Sequence, residues 1–398
     1  MTTGVCAIDS APPDTGGSGA TAGAGTAVRV GPDAVPAGCV FAADGSYAAR
    51  LTREGPSWYP ERWTFGPEPY AVALAGNQPE EPGTEVLPLA DGQVLIHRTP
   101  AGLHTFSLLY PTGPATGPAT GRQTGERPLG SVECHALSLL PAAPDGATAY
   151  ALAPGEASTA VWRVAGGAYG PEHVAEVPGF CAGGAWLDTS GRLLALDQER
   201  DGVTKTVVVD LERGGETTPL LQIAEHSNDR LLLADPESGL LLVRSDAAGE
   251  DRIGWGVLGS MLPVRFPRCL RAPDLLLTPF AVQPGQLLTP EACAVALRMD
   301  GPGGTGIGLW RPTSRHVVGL TPPEGWLAGA GRWTRAGVLR LPYATRNVPC
   351  GVADVDFPAS ASEPVEDLAP EEPEAESPPA ARPVPLREAP LTGRAVVG

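Results

Sequence analysis

The sequence predicts an all-β chain of seven similar units, and three observations carry that prediction. One stretch reads as four consecutive strands, a glycine turn recurs at near-constant spacing, and helical periodicity is weak throughout. Gly183–Asp188 is a short apolar run that ends at Thr189-Ser190-Gly191, where glycine supplies the positive φ of a tight hairpin. Arg192–Gln198 is the second strand, closed by Asp201-Gly202, a type I′ turn signal. Val203–Leu211 is rich in Val and Thr, whose branched Cβ suits a pleated surface, and Arg213-Gly214-Gly215 turns it into a fourth strand at Thr217–Ala224.

The first of these turns recurs at Gly45, Gly92, Gly146, Gly191, Gly239, Gly285 and Gly337, with spacings of 47, 54, 45, 48, 46 and 52 residues. Extended apolar runs flank each one, as at Val94-Leu95-Ile96, Leu240–Val243 and Val338–Leu341. One such unit cannot bury both of its faces, so a fixed period of this size implies a radial or stacked array. Seven units close into a single seven-bladed β-propeller of four-stranded antiparallel blades. No long window holds an apolar stripe at helical spacing, and 44 prolines interrupt the segments that could form one.

In order, the blades are expected at Val35–Pro79, Thr84–Glu133, Cys134–Pro178, Phe180–His226, Ser227–Arg271, Ala272–Pro323 and from Trp326 onward. Residues 1–25 read as a flexible Gly/Ala/Thr/Ser segment and 26–357 as the propeller. In blade one Trp58, Tyr59, Trp63, Phe65 and Tyr70 form an aromatic cluster, read as packing between blades or as an exposed patch. In blade two the tandem Gly113–Gly121 segment, with its prolines, reads as an exposed loop. In blade six the glycine-dense Gly301–Gly308 lacks a following Lys-Ser/Thr and a following helix, so it reads as a hairpin loop and not a phosphate cradle.

Residues 358–381 carry seven acidic side chains between Glu363 and Glu376 and read as a disordered linker. Residues 382–398 follow as a closing strand or a docking peptide, because Arg382–Leu391 resembles the fourth strand of blade four. Val352–Phe357 likewise resembles its third strand. The strand-like Thr26–Val30 competes for the same edge of blade seven, and the sequence leaves open which terminus closes the ring.

The pattern resembles the WD-repeat and prolyl-oligopeptidase-type propellers, whose blades carry a Pro-Asp-Gly-like turn after the innermost strand. It is matched in full at Pro144-Asp145-Gly146 and in part at the other six turns. The likeness covers about residues 35–357, and the Gly-His and Trp-Asp dipeptides of the WD repeat are lacking. It implies a fold and leaves function open, since propellers host unrelated activities. If it points to the prolyl oligopeptidases, whose catalytic triad sits on a separate hydrolase domain, this chain is the propeller without the enzyme.

A net charge of −17 with a pI near 4.8 would repel a phosphate backbone, so nucleic acid is not an expected partner. Lys205 is the only lysine among 28 basic residues, which with the Ala, Gly and Pro excess points to a GC-rich bacterial genome. No basic start or apolar core marks the N-terminus as a secretory signal, and no run is long enough to span a bilayer; a cytoplasmic protein is expected. Seven scattered cysteines fit reduced thiols better than a disulfide framework.

Chemistry is sparse. There is no Gly-x-Ser-x-Gly elbow, no Cys-x-x-Cys and no close histidine pair, so no catalytic residue, metal ligand or cofactor is assigned. The starts of the innermost strands face the channel, and there the register places Cys39, Cys134, His135, Cys181, Asn228, Asp229, Arg230, Asp274 and Trp326. These form a candidate ligand ring at the channel mouth. The alternative reading is thiols packed near the axis and an Asp229-Arg230 ion pair at a turn. The expected function is a non-catalytic, monomeric scaffold for a protein partner; the alternative is a small-molecule-binding protein or enzyme with its site at the channel mouth.

Overall fold

The structure is a computed structural model of the chain, described over residues 38–112, 123–285 and 289–358. It is a propeller of seven antiparallel sheets taken in chain order. Blade one holds β1 (Val40–Phe41), β2 (Tyr47–Glu54), β3 (Ser57–Thr64) and β4 (Tyr70–Ala73). Blade two holds β5 (Glu85–Pro88), β6 (Val94–Arg98), β7 (His104–Thr112) and β8 (Gln123–Val132). Blade three holds β9 (Ser138–Leu139), β10 (Ala149–Pro154), β11 (Ser158–Ala165) and β12 (Glu172–Pro178). Blade four holds β13 (Phe180–Trp186), β14 (Leu193–Arg200), β15 (Val203–Asp210) and β16 (Glu216–Leu221).

Blade five holds β17 (Asp229–Ala234), β18 (Leu240–Ser245) and β19 (Arg252–Val257), with a bridge between Trp255 and Arg265 in the place of a fourth strand. Blade six holds β20 (Leu276–Val282), β21 (Val295–Gly301), β22 (Gly304–Trp310) and β23 (Val318–Leu320). Blade seven holds β24 (Arg332–Trp333), β25 (Val338–Tyr343) and β26 (Gly351–Asp356) among the described residues. Thr26–Val30, read as a strand that competes to close the ring, Gly113–Gly121, read as an exposed loop, and Arg382–Leu391, read as a closing strand or a docking peptide, lie outside the described residues.

Blade four shows how closely local chemistry sets the unit. Asp201 and Gly202 both take positive φ, 51° and 76°, and Arg200 pairs with Val203 across them, as a type I′ hairpin requires. The first strand begins three residues earlier than its apolar run suggested. The reason is a bulge: Gly183 and Gly184 take φ of 72° and 142°, and the register shifts between Ala182 and Ala185. Gly301–Gly308 is a hairpin, as expected, with Gly301 paired to Gly304.

The first strands of consecutive blades approach one another and line the axis. They all start at one end of the ring, the strand-start end, and all reach their glycine turns at the other, the turn end. Six of the seven turn glycines have φ between 69° and 84°. Gly285 does not, because β20 and β21 are joined by a longer link that includes a 3-10 turn at Pro290–Ala292. Aspartate fixes several of the turns: the carboxylates of Asp44, Asp91 and Asp145 accept from the backbone N–H groups of Ser46, Gln93 and Ala147.

The turns also touch from blade to blade. A Cβ on Gly146 would lie 2.6 Å from the Cβ of Ala90, and one on Gly45 would lie 2.6 Å from the Cδ of Arg332, so glycine is required there for close approach as well as for φ.

The core is divided among the seven seams between blades, as the repeat demands. Leu152 and Val161 of blade three meet Leu194 and Leu196 of blade four; Leu242 and Trp255 of blade five meet Val295 and Trp310 of blade six. The aromatic cluster of blade one splits between its two readings. Trp63 is fully buried in the seam with blade seven, and Phe65 packs partly buried against it, while Tyr70 is exposed.

Candidate functional site

The residues expected at the channel mouth fall into separate environments. Cys39 is buried in the seam between blades seven and one, and Cys181 in the seam between blades three and four. Cys134 lies in the link from β8 to β9 and donates its thiol to the Ala136 carbonyl at 3.4 Å; its neighbour His135 is exposed. Trp326 packs on Phe280 with ring centroids 5.6 Å apart and donates Nε1 to the Ala330 carbonyl. Arg230 and Asp274 are exposed.

Burial pushes up the thiols of Cys39, Cys134, Cys269 and Cys293, that of Cys181 to about 11 and that of Cys350 to about 12. A thiol so held is a poor nucleophile, because the thiolate is the reactive form. All six described cysteines are free.

Asp229 is wholly buried, and its ionic partner is Lys205 of blade four, 2.7 Å away, and not Arg230 beside it in sequence. Strand alternation sends neighbouring side chains to opposite faces, which separates the adjacent pair. The other carboxylate oxygen accepts from Ser227 and Ser245 at 2.8 and 2.6 Å, and Asn228 is clamped to Asp246 through its backbone N–H and its amide. This satisfied network ties blade four to blade five. The only lysine of the chain has a structural task.

One constellation escaped the sequence. His97 Nδ1 lies 2.7 Å from Glu85 Oε2, and its Nε2 lies 2.9 Å from His104 Nδ1; both imidazoles are buried. The two histidines are seven apart in sequence, yet β6 and β7 pair His97 with Phe106, which leaves His104 its diagonal neighbour on the same face. The signal was there in the hairpin spacing around Thr99–Leu103. Burial and the nearby His97 hold the His104 imidazole below its usual value, so it is neutral near pH 7. No group of three or more metal-ligating side chains occurs among the described residues.

The two ends of the ring differ. At the strand-start end Phe180, Leu275 and Leu276, at or beside the first residues of β13 and β20, are exposed. At the turn end a cavity of about 360 Å³ opens beside the turns of blades one, five, six and seven, reached by Asp44, Glu237, Pro284 and Arg335. A wider groove of about 1040 Å³ runs along the flank of blade four, beside Glu176 and Pro178 of β12. No helix among the described residues is long and apolar enough to cross a membrane.

No protein-family description matches the sequence, and no curated protein matches it. Among solved structures the chain is similar to a puromycin hydrolase, with 14% identity and a TM-score of 0.51 over 81% of this chain and 52% of that one. An acylaminoacyl peptidase in complex with a chloromethyl ketone matches at 11% identity and a TM-score of 0.48, over 78% and 49% of the two chains. The β-propeller domain of Myceliophteria thermophila Cps50 (Swd1) matches at 13% identity and a TM-score of 0.45, over 81% and 97%. The chain spans about half the length of the two hydrolases it matches. At these identities the likeness shows a seven-bladed β-propeller and does not extend to function.

Proposed function

We propose that this propeller is a non-catalytic scaffold of a bacterial cytoplasm that binds a protein partner through the strand-start end of its ring. One observation carries the reading: Phe180 is 50% and Leu276 55% exposed, each at the first residue of an innermost strand, with exposed Leu275 beside the second. Large apolar side chains collected at one end of a rigid disc suit the buried centre of an interface, and the neighbouring exposed Arg230, Asp274 and His135 suit its polar rim. Free thiols pushed up by burial support a binding role over a nucleophilic one and fit a reducing compartment.

Native mass spectrometry of the protein purified from its own host tests the reading. A bound protein is expected on the wild-type chain, lost when Phe180→Glu and Leu276→Glu are combined, and retained with Tyr169→Glu, a 95% exposed residue in a turn at the opposite end. A partner that stays on the double variant would sink the proposal. A small-mass excess released on denaturation would transfer the function to a ligand at the same mouth, held among His135, Arg230 and Asp274.

A further inference from the structure

The cavity at the turn end, opposite the proposed partner face, is walled on one side by Phe41, Phe65 and Trp333, the first two stacked with centroids 5.4 Å apart. Its polar lining is mixed. Arg332, Arg335 and Arg340 face Asp44 and Glu237, a local excess of cations in a chain whose net charge is −17. Two buried polar atoms in this lining have no partner: the indole Nε1 of Trp333, a residue 1% exposed, and the Oε2 of Glu237. An unpaired buried donor and an unpaired buried acceptor are each destabilising, and a ligand carrying both complements removes both penalties.

The charged side chains are arranged to divide between two ends of such a ligand. Glu237 Oε1 accepts from Arg335 and its Oε2 is left free, while Arg335 and Arg340, half exposed, retain N–H donors beyond their acidic neighbours. Arg332 spends Nη1 on the carbonyls of Ala42 and Ala43 and is held below its usual basicity by burial, with Arg335 adding repulsion, so nearby negative charge is favoured. A multiply charged phosphate would meet Asp44 and Glu237; a zwitterion meets opposite charge at both ends. The volume lies at the lower end of the range for ligand pockets, about 300–1,000 Å³, and excludes large cofactors.

We propose that this cavity binds a small α-amino acid with an apolar side chain. Its carboxylate lies on Arg335 and Arg340 and accepts from Trp333 Nε1, its ammonium donates to Glu237 Oε2, and its side chain packs against Phe41 and Phe65.

Isothermal titration of the full chain with L-phenylalanine tests this, with 3-phenylpropionate as the probe lacking the ammonium. L-Phenylalanine is expected to bind, 3-phenylpropionate about tenfold more weakly or worse, and Glu237→Gln to weaken the amino acid about tenfold while leaving 3-phenylpropionate unchanged. Arg335→Gln is expected to weaken both. Should either variant fail to fold, the indole N–H resonance of Trp333 in the wild-type protein decides: it moves on titration with L-phenylalanine. No heat and no shift of that resonance at millimolar L-phenylalanine overturns the proposal, as does unchanged affinity in a folded Glu237→Gln, Arg335→Gln double variant.

Discussion

Among the described residues, the seam between blades three and four buries twelve side chains, including Trp186, Leu194, Leu196 and Val209, whereas the seam between blades seven and one buries four, Cys39, Ala48, Trp63 and Ala330. Blades three and four are joined directly by Pro178, Gly179 and Phe180, so their packing needs no long-range closure. Blades seven and one are the first and last units of the chain, and bringing them together carries the loop-closure entropy of the whole ring.

That seam makes up for its small apolar core with directed bonds. Arg332 of blade seven donates to Ala42 and Ala43 of blade one at 3.0 and 2.6 Å, and its side chain fills the space left open by Gly45. Among the described residues, the seam where the ring closes relies on a few specific contacts, while the seam between blades three and four relies on bulk burial.

Removing Trp63 should produce the largest difference between the two seams. Trp63→Ala leaves a large cavity and is expected to cost about 3–5 kcal/mol in urea unfolding, against about 2–5 kcal/mol for Leu194→Ala. Amide exchange separates them further. Trp63→Ala should speed exchange in β1 and β2 first, whereas Leu194→Ala should lower protection throughout the ring; equal patterns in the two variants would erase the distinction drawn between the seams.

Arg332→Gln should cost about 1–3 kcal/mol by leaving carbonyl groups short of a donor, and its effect should be confined to blades seven and one. A loss below the error of the titration would show that the guanidinium does not hold the ring shut.

The smallest effect is in blade two and depends on pH. His104 faces His97 and, through it, Glu85, and burial followed by repulsion from His97 holds its imidazole below the usual 6.5. Between the folded and unfolded values the unfolded chain binds the extra proton, so stability falls as pH drops below about 6.5. His104→Gln should flatten that slope, read from melting curves at several pH values. The closing seam, held by a guanidinium that does not titrate there, should not contribute to it; an unaltered slope in His104→Gln would remove blade two from the account.

Much of the fold was legible. Asp-Gly and Ser-Gly turns at Gly45, Gly92, Gly146, Gly191 and Gly239, together with the strand pair around Asp201-Gly202, are local matters of φ and of side-chain caps, and residues within a few positions of one another decide them. The bulge at Gly183-Gly184 was less so, because paired glycines signal either a turn or a bulge, and only the partner strand distinguishes the two.

The sequence by itself determined the blade unit, its sevenfold recurrence and the division of the core among seams, since each follows from the period of apolar runs and from turn chemistry repeated along the chain. The tertiary structure alone decided which polar groups meet. Lys205 and Asp229 come from different blades, His97 and His104 from opposite sides of a hairpin, and Asp44, Glu237, Pro284 and Arg335 from four turns spread over nearly three hundred residues. A repeat fixes what each unit is, but the rotation of one unit against the next sets which side chains face each other, and that angle is written in the packing of whole blades and in no local stretch of sequence.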